Sequence, residues 1–439
     1  MTHKHIKLSI LLAFPFILTA KEVRYLTILV HGTLKPPEYS FSSFLKIMRN
    51  KIDNSIYAKA MEYVRKDSTL YGGQPIQGEG LIAIEIPDGI PLTDTQLTAK
   101  ILHMQHIFLD KDSQHSYYTF GWNGLLSVKK RYEAAVLFYK DLANEVARLE
   151  KEGITPHITV YTFSHGAGVA LNLAAVKSDN PLLKPNAFSI DRLVMLGAPV
   201  QKTTDYLMND SLFKEVYHFY STQDNIQTMD IFSPKQFFSK RLFTNRKNFK
   251  IPKKLRQIRI KTIKKNNIWK DLYYDHSHLF DLLSKRTNKP KHRDPKHTEF
   301  WHFEWGSDWY RPNFPLNPLP LVTFLPVFIH ALEQTLQTCQ EITFDFSLSH
   351  AGAIITSNKD KLKIPVPILN HEKIAEIFTA IGDHTTSKLQ PEYEDQQLTK
   401  ALNQAKQDLK YKKHKKRRLF SHFLHKYMPL DTRNLFFAL

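Results

Sequence analysis

Cysteine is nearly missing: Cys339 is the single thiol in 439 residues, which excludes any disulfide within the chain. That scarcity does not identify the compartment, because exported proteins can fold without disulfides. Glycine is sparse at 15 positions and 42% of residues are hydrophobic, which excludes a low-complexity chain and fits a globular protein with a substantial core. Acidic residues are short as well, 42 against 61 Lys and Arg, leaving a formal net charge of +19. Such an excess favours an acidic partner, whether an anionic lipid surface, nucleic acid or an anionic substrate, and has no bearing on fold. Long apolar runs are absent too. Leu8–Ala20 follows Lys4 and Lys7 and turns polar at Lys21-Glu22, which is too short to span a bilayer comfortably and has the layout of a secretory signal peptide. Residues 1–20 are therefore read as a signal peptide or retained membrane tether. The protein is then exported or membrane-associated, in the periplasm, the cell envelope or outside.

The most informative stretch is His157–Ala175. A β-branched and aromatic run breaks off at Thr162-Phe163-Ser164-His165-Gly166, and an alanine-rich helical pattern follows at once. It reads as strand, sharp turn, helix. A serine at such a corner is lifted to the carboxyl end of a sheet on a strained backbone, and small neighbours such as Gly166 and Gly168 leave it room. The bland alternative is a serine capping a helix in an ordinary loop.

These residues resemble the nucleophile elbow of α/β-hydrolases, Gly-x-Ser-x-Gly, and especially the Gly-His-Ser-His-Gly-Gly form of lipase-like bacterial serine hydrolases. Thr162 and Ala167 depart from that form, both by small residues. The strand-like Tyr25–Val30 ends in His31-Gly32-Thr33, where the resemblance implies an oxyanion loop. Its donors would be the backbone N–H groups of Thr33 and His165. The resemblance further implies an α/β fold with a mostly parallel sheet flanked by helices, and triad partners in the order Ser, acid, His.

Candidates for those partners exist. Glu215–Asn225 reads as a strand with Asp224 at its carboxyl end, and Asp230 is the nearby competitor. A histidine cluster follows: His276, His278, His292, His297 and His302. Lys296-His297-Thr298-Glu299-Phe300 is the better match to the family's loop before the final helix, so His297 is favoured and His276 is the reserve. The chemistry is then ester hydrolysis through an acyl-enzyme on Ser164, with acyl or lipid esters as substrates and neither metal nor cofactor required. It needs a Ser164 that is not buried and an imidazole within its reach. A zinc site from His276, His278 and His292 with Asp275 or Asp294 is the metal alternative. A catalytically silent hydrolase scaffold and an acyltransferase are the functional ones.

Around these motifs, Ser116–Gly124 reads as a strand and Ser127–Glu152 as an amphipathic helix burying Ala134, Ala135, Phe138, Leu142, Val146 and Leu149. Asp191–Val200 is a strand ending in Gly-Ala-Pro, and Gln257–Ile263 could be the last core strand. The hydrolase domain is taken as 21–338, with 34–112 a possible cap. Within it, 231–270 carries fourteen Lys and Arg, no Asp or Glu, and five phenylalanines. This segment and Lys412–Arg418 are candidates for an anionic membrane surface or for solvated stretches; nucleic acid is the weaker partner given the export signal. Residues 339–439 form a C-terminal appendage and helical basic tail.

Overall fold

The apolar runs become strands whose alternate residues face two different cores. The computed structural model describes residues 22–34, 55–66, 73–88, 92–179, 188–228, 239–264, 291–303, 319–334, 341–345, 353–357, 363–366 and 399–411. Strands β1 (Glu22–Val30), β3 (Gln114–Gly121), β4 (Ile154–Phe163), β5 (Ile190–Leu196), β6 (Phe213–Tyr220), β7 (Leu255–Lys264) and β9 (Glu341–Asp345) pair in parallel in the spatial order β3-β1-β4-β5-β6-β7-β9. Antiparallel strands flank this run. β2 (Gly80–Ala83) lies beyond β3, β10 (Ala353–Ser357) and β11 (Lys363–Val366) lie beyond β9, and β8 (Lys291–Arg293) pairs with β7. The architecture is α/β, a mostly parallel sheet covered by helices.

On one face, Ile28, Val30, Ile158, Val160, Leu193 and Met195 pack under α3 (Val128–Lys151) and α4 (Gly166–Asp179). On the other, Leu29, Tyr161, Phe163, Val194, Leu196 and Phe219 pack under α2 (Asp94–Leu109) and α5 (Leu325–Gln334). Burial on both faces explains why these strands read as continuous apolar runs rather than as alternating ones. The expected stripe of α3 is all buried, and the Ser127 side chain accepts from Lys130 N–H at its start.

The chain leaves β1 toward β3 but leaves β4 toward β5. The carboxyl ends of β1 and β4 therefore flank a crevice at a topological switch point, where open α/β sheets bind ligands.

Several stretches take places in the fold that the sequence left open. The 34–112 stretch supplies α2, a crossover helix whose Leu97, Ile101 and Leu102 belong to the core, together with α1 (Ile56–Val64) and the edge strand β2. Strand β7 is not the last of the parallel set, because β9 pairs beyond it and β10 and β11 continue the same sheet. A helix over 399–411, α6, sets Leu402 and Ala405 against Ala60 of α1, and the Tyr63 hydroxyl donates to Asp408.

The described part of the basic segment is folded in. Phe243 and Phe249 are core residues, Arg246 pairs with Asp205, and Arg259 pairs with Asp294. Their apolar and charged groups are already used inside the molecule. Lys412–Arg418 and residues 1–20 lie outside the described residues. Among those described, no helix is long and apolar enough to cross a membrane.

Candidate active site

Ser164 follows the last residue of β4 and stands two residues before the first of α4, and its φ of 50° is the one positive value among the described non-glycine residues. Such backbone costs on the order of 1–3 kcal/mol and persists only where its surroundings over-determine it. They do so here. Ser164 N–H donates to Leu196 O of β5 (2.9 Å), and Ala167 N–H returns to Ser164 O (3.1 Å). A Cβ on Gly166 would stand 2.5 Å from His31 O and 2.7 Å from Val30 O, so the helix can approach β1 only through a glycine. Gly168 is less constrained, since its nearest contact would be Arg131 at 3.3 Å. Thr162 fits in the first-glycine position because it is an ordinary strand residue. It is fully buried, with its hydroxyl donating to Val194 O (3.2 Å).

Three side chains distant in sequence meet at this corner. The Ser164 hydroxyl donates to His297 Nε2 (3.0 Å), and His297 Nδ1–H donates to Asp224 Oδ2 (2.7 Å). Asp224 lies in the turn after β6 and is fully buried. Its Oδ1 accepts from Gln227 N–H (3.2 Å), and the Arg241 guanidinium donates to its backbone carbonyl (3.0 Å). His297 precedes a 3₁₀ turn, Thr298–Phe300, and its ring tilts against Phe163 with centroids 4.7 Å apart. Trp301 stacks on the same Phe163 at 5.6 Å and 6°. The residue before the serine thereby seats the loop that carries the imidazole.

The loop after β1 is equally well determined. His31 is 1% exposed, and its Nε2 accepts from Trp122 N–H (3.1 Å), so Nδ1 carries the proton and donates to Gly32 O (2.7 Å). Trp122 Nε1–H closes the link by donating to His31 O (2.8 Å), with the two rings stacked. Burial, and after it the Arg65 charge, holds His31 well below the usual histidine range, so the ring is neutral. Because amide N–H and the preceding C=O point opposite ways across a trans peptide, fixing Gly32 O also fixes the direction of Thr33 N–H. A Cβ on Gly32 would fall 2.9 Å from Ser164 Cβ, which places this peptide against the serine. His165 is buried and neutral as well, lowered by burial and then by Arg131, whose guanidinium donates to its Nδ1 (3.1 Å).

The structure thus brings together Ser164, Asp224, His297, His31, Gly32, Thr33, His165 and Gly166. Asp230 and His276 lie outside the described residues, as do His278 and Asp275 of the zinc alternative. Asp294 of that set is engaged by Arg259 and by the Thr222 hydroxyl. Among the described residues no group of three or more His, Cys, Asp or Glu could hold a metal.

One requirement is not met. Ser164 is 5% exposed and His297 8%, so the serine is buried rather than clear of the core. The physical reason lies in the packing just described: the Gly32 peptide abuts its Cβ and the imidazole meets its hydroxyl. Sequence reasoning missed Gly197, Gln227 and Arg241. The Gly-Ala-Pro ending of β5 was the one available signal for Gly197, whereas nothing local marks Gln227 or Arg241.

No family model matches the chain, and no curated protein does. Among solved structures, one partial likeness is to the Tle1 effector bound to the VgrG spike from the Type 6 secretion system. It has 13% identity and a TM-score of 0.22, over 46% of this chain and 46% of that one. The chain therefore matches less than half of that protein's length. So low a TM-score carries no inference about either fold or function.

Proposed function

We propose that the chain is a serine hydrolase that cleaves carboxylic esters, in particular acyl or lipid esters, through an acyl-enzyme. The observation that carries this reading is the chain of hydrogen bonds from a strained Ser164 through His297 to buried Asp224. A serine hydroxyl is a weak nucleophile at neutral pH and needs a base in hydrogen-bonding reach, itself oriented by an acid. In this reading His297 Nε2 takes the hydroxyl proton as Ser164 Oγ attacks the carbonyl carbon, then returns it to the leaving alkoxide. Asp224 holds Nδ1–H, which selects the tautomer and stabilises the imidazolium. The backbone N–H groups of Thr33 and His165 face the developing oxyanion, where a preorganised donor is worth on the order of 10²–10³ in turnover. Water activated by the same imidazole then releases the acid.

Ser164 is 5% exposed, so substrate entry requires the segments around the crevice to open. Export by residues 1–20 and contact with an anionic membrane surface through the remaining basic residues are part of the proposal.

The test is Ser164→Ala assayed with p-nitrophenyl esters and with a fluorophosphonate label. Wild type should turn over and take one label, and the variant should do neither. A wild-type protein that takes no label and cleaves no ester would leave only a hydrolase-like scaffold.

A further inference from the structure

The Thr33 hydroxyl has no task among the described residues. Its oxygen is buried from solvent and makes no hydrogen bond among the described residues. A desolvated and unpaired hydroxyl is uncommon in a native interior, and each instance calls for an explanation. Its position supplies one. By covalent geometry and staggered rotamers, a threonine hydroxyl oxygen lies only roughly 3–4 Å from the nitrogen of its own residue. That nitrogen belongs to the peptide whose direction is fixed by the His31 Nδ1–H bond to Gly32 O (2.7 Å), and the Gly32 backbone touches Ser164. In the rotamers that set the hydroxyl gauche to the nitrogen, an oxygen close enough to accept from Thr33 N–H lies within reach of the hydroxyl, which can rotate its proton toward it.

We infer that the Thr33 side chain is a third oxyanion donor, adding an O–H to the two backbone N–H groups. The inference rests on the serine-hydrolase reading. In the transition state the carbonyl oxygen gains negative charge as the Ser164 Oγ–carbon bond forms. The Thr33 O–H, unpaired beforehand, then gains a charge-assisted hydrogen bond without giving one up. Its contribution appears only at that stage, so it raises kcat and leaves KM nearly unchanged.

Two variants separate the hydroxyl from the shape of the residue. Thr33→Val keeps the volume and removes the donor, whereas Thr33→Ser keeps the donor. On a p-nitrophenyl ester, Thr33→Val should lose on the order of 10² in kcat with little change in KM, and Thr33→Ser should stay within about threefold of wild type. Urea unfolding of Thr33→Val should show equal or greater stability, because replacing an unpaired buried hydroxyl by a methyl relieves desolvation. Binding of phenylboronic acid, which forms a tetrahedral adduct on a reactive serine, should weaken in step with kcat and provides a second measurement on folded protein. Wild-type kcat in Thr33→Val, or an equal loss in both variants, would overturn the assignment while leaving Ser164 labelling intact. A wild-type protein that takes no fluorophosphonate would instead sink the hydrolase reading, and this inference with it.

Discussion

Gly197 offers the sharpest test of how the pieces of the site depend on one another. It follows the last residue of β5 with φ +57°, and a Cβ there would stand 3.0 Å from Asp224 Oδ2, 3.2 Å from His297 Nδ1 and 3.3 Å from His297 Cε1. A methyl group would thus press on both ends of the 2.7 Å hydrogen bond that joins acid to imidazole. Two costs follow for Gly197→Ala. The left-handed backbone itself costs alanine about 1 kcal/mol relative to glycine. The contacts add about another 1 kcal/mol, because the neighbour that must give is constrained. Asp224 is held by Gln227 N–H and Arg241, so the imidazole, lying against Phe163, is the partner that shifts.

The total, about 2 kcal/mol, is a loss that urea unfolding resolves easily. The effect on chemistry is separate. A misplacement of about 1 Å can cost on the order of 10²-fold, so a shift of a few tenths of an ångström should lower kcat roughly tenfold, with KM little changed. The decisive assay repeats Gly197→Ala in an Asp224→Asn background. With the acid–imidazole bond already weakened, the part of the loss that runs through it disappears, and the kcat ratio should fall well below tenfold. A tenfold drop that persists unchanged in the Asp224→Asn background would show that Gly197 acts by another route. Unchanged kcat beside lost stability would confine it to folding.

Acid should destabilise the fold through its buried histidines. His218 on β6 is fully buried beside Phe243, and burial lowers it to about 4, with Gln257, Ala198 and Asp224 opposing weakly. The unfolded chain then binds the proton more readily than the folded one. The contribution, about 3 kcal/mol, is complete above pH 6.5 and is lost as pH falls from 6.5 through 4. His218→Leu should flatten that limb of a urea-midpoint profile relative to wild type, whereas parallel profiles would refute the sign and the site. The closed site makes a second prediction: a small organophosphate should label Ser164 faster than a fluorophosphonate carrying a bulky dye, followed by intact mass. Equal rates would mean that the serine is already open to solvent.

Much of the fold was legible because buried strands and helices announce themselves by composition. Ala134, Ala135, Phe138, Leu142, Val146 and Leu149 repeat at helical spacing because α3 has one face on the sheet. Thr162-Phe163-Ser164-His165-Gly166 was legible for a different reason: a positive φ at serine demands small residues around it, and that demand is local. What stayed hidden was set by distance along the chain. The basic run near 240–260 has the composition of a solvated arm, yet Asp205 and Asp294, each more than thirty residues away, neutralise part of it. No window of sequence contains both members of such a pair. The same holds for β9, whose parallel place beside β7 depends on a register between Arg259–Ile263 and Glu341–Asp345.

The choice of His297 among five histidines shows where the two kinds of information meet. Local pattern separated it from its neighbours only weakly, since Asp275-His276-Ser277-His278 is nearly as good a match. In three dimensions it is distinguished by contacts that no motif encodes: a tilted stack on Phe163, Trp301 beside it on the same ring, and Asp224 contributed by a turn 73 residues earlier. Phe163 is itself the residue that leads into the elbow, so the strand carrying the serine also builds the seat for the imidazole. A substitution that shrinks Phe163 would therefore reach the Ser164–His297 hydrogen bond without touching either residue, which is why the site behaves as one packed unit rather than as three independent side chains.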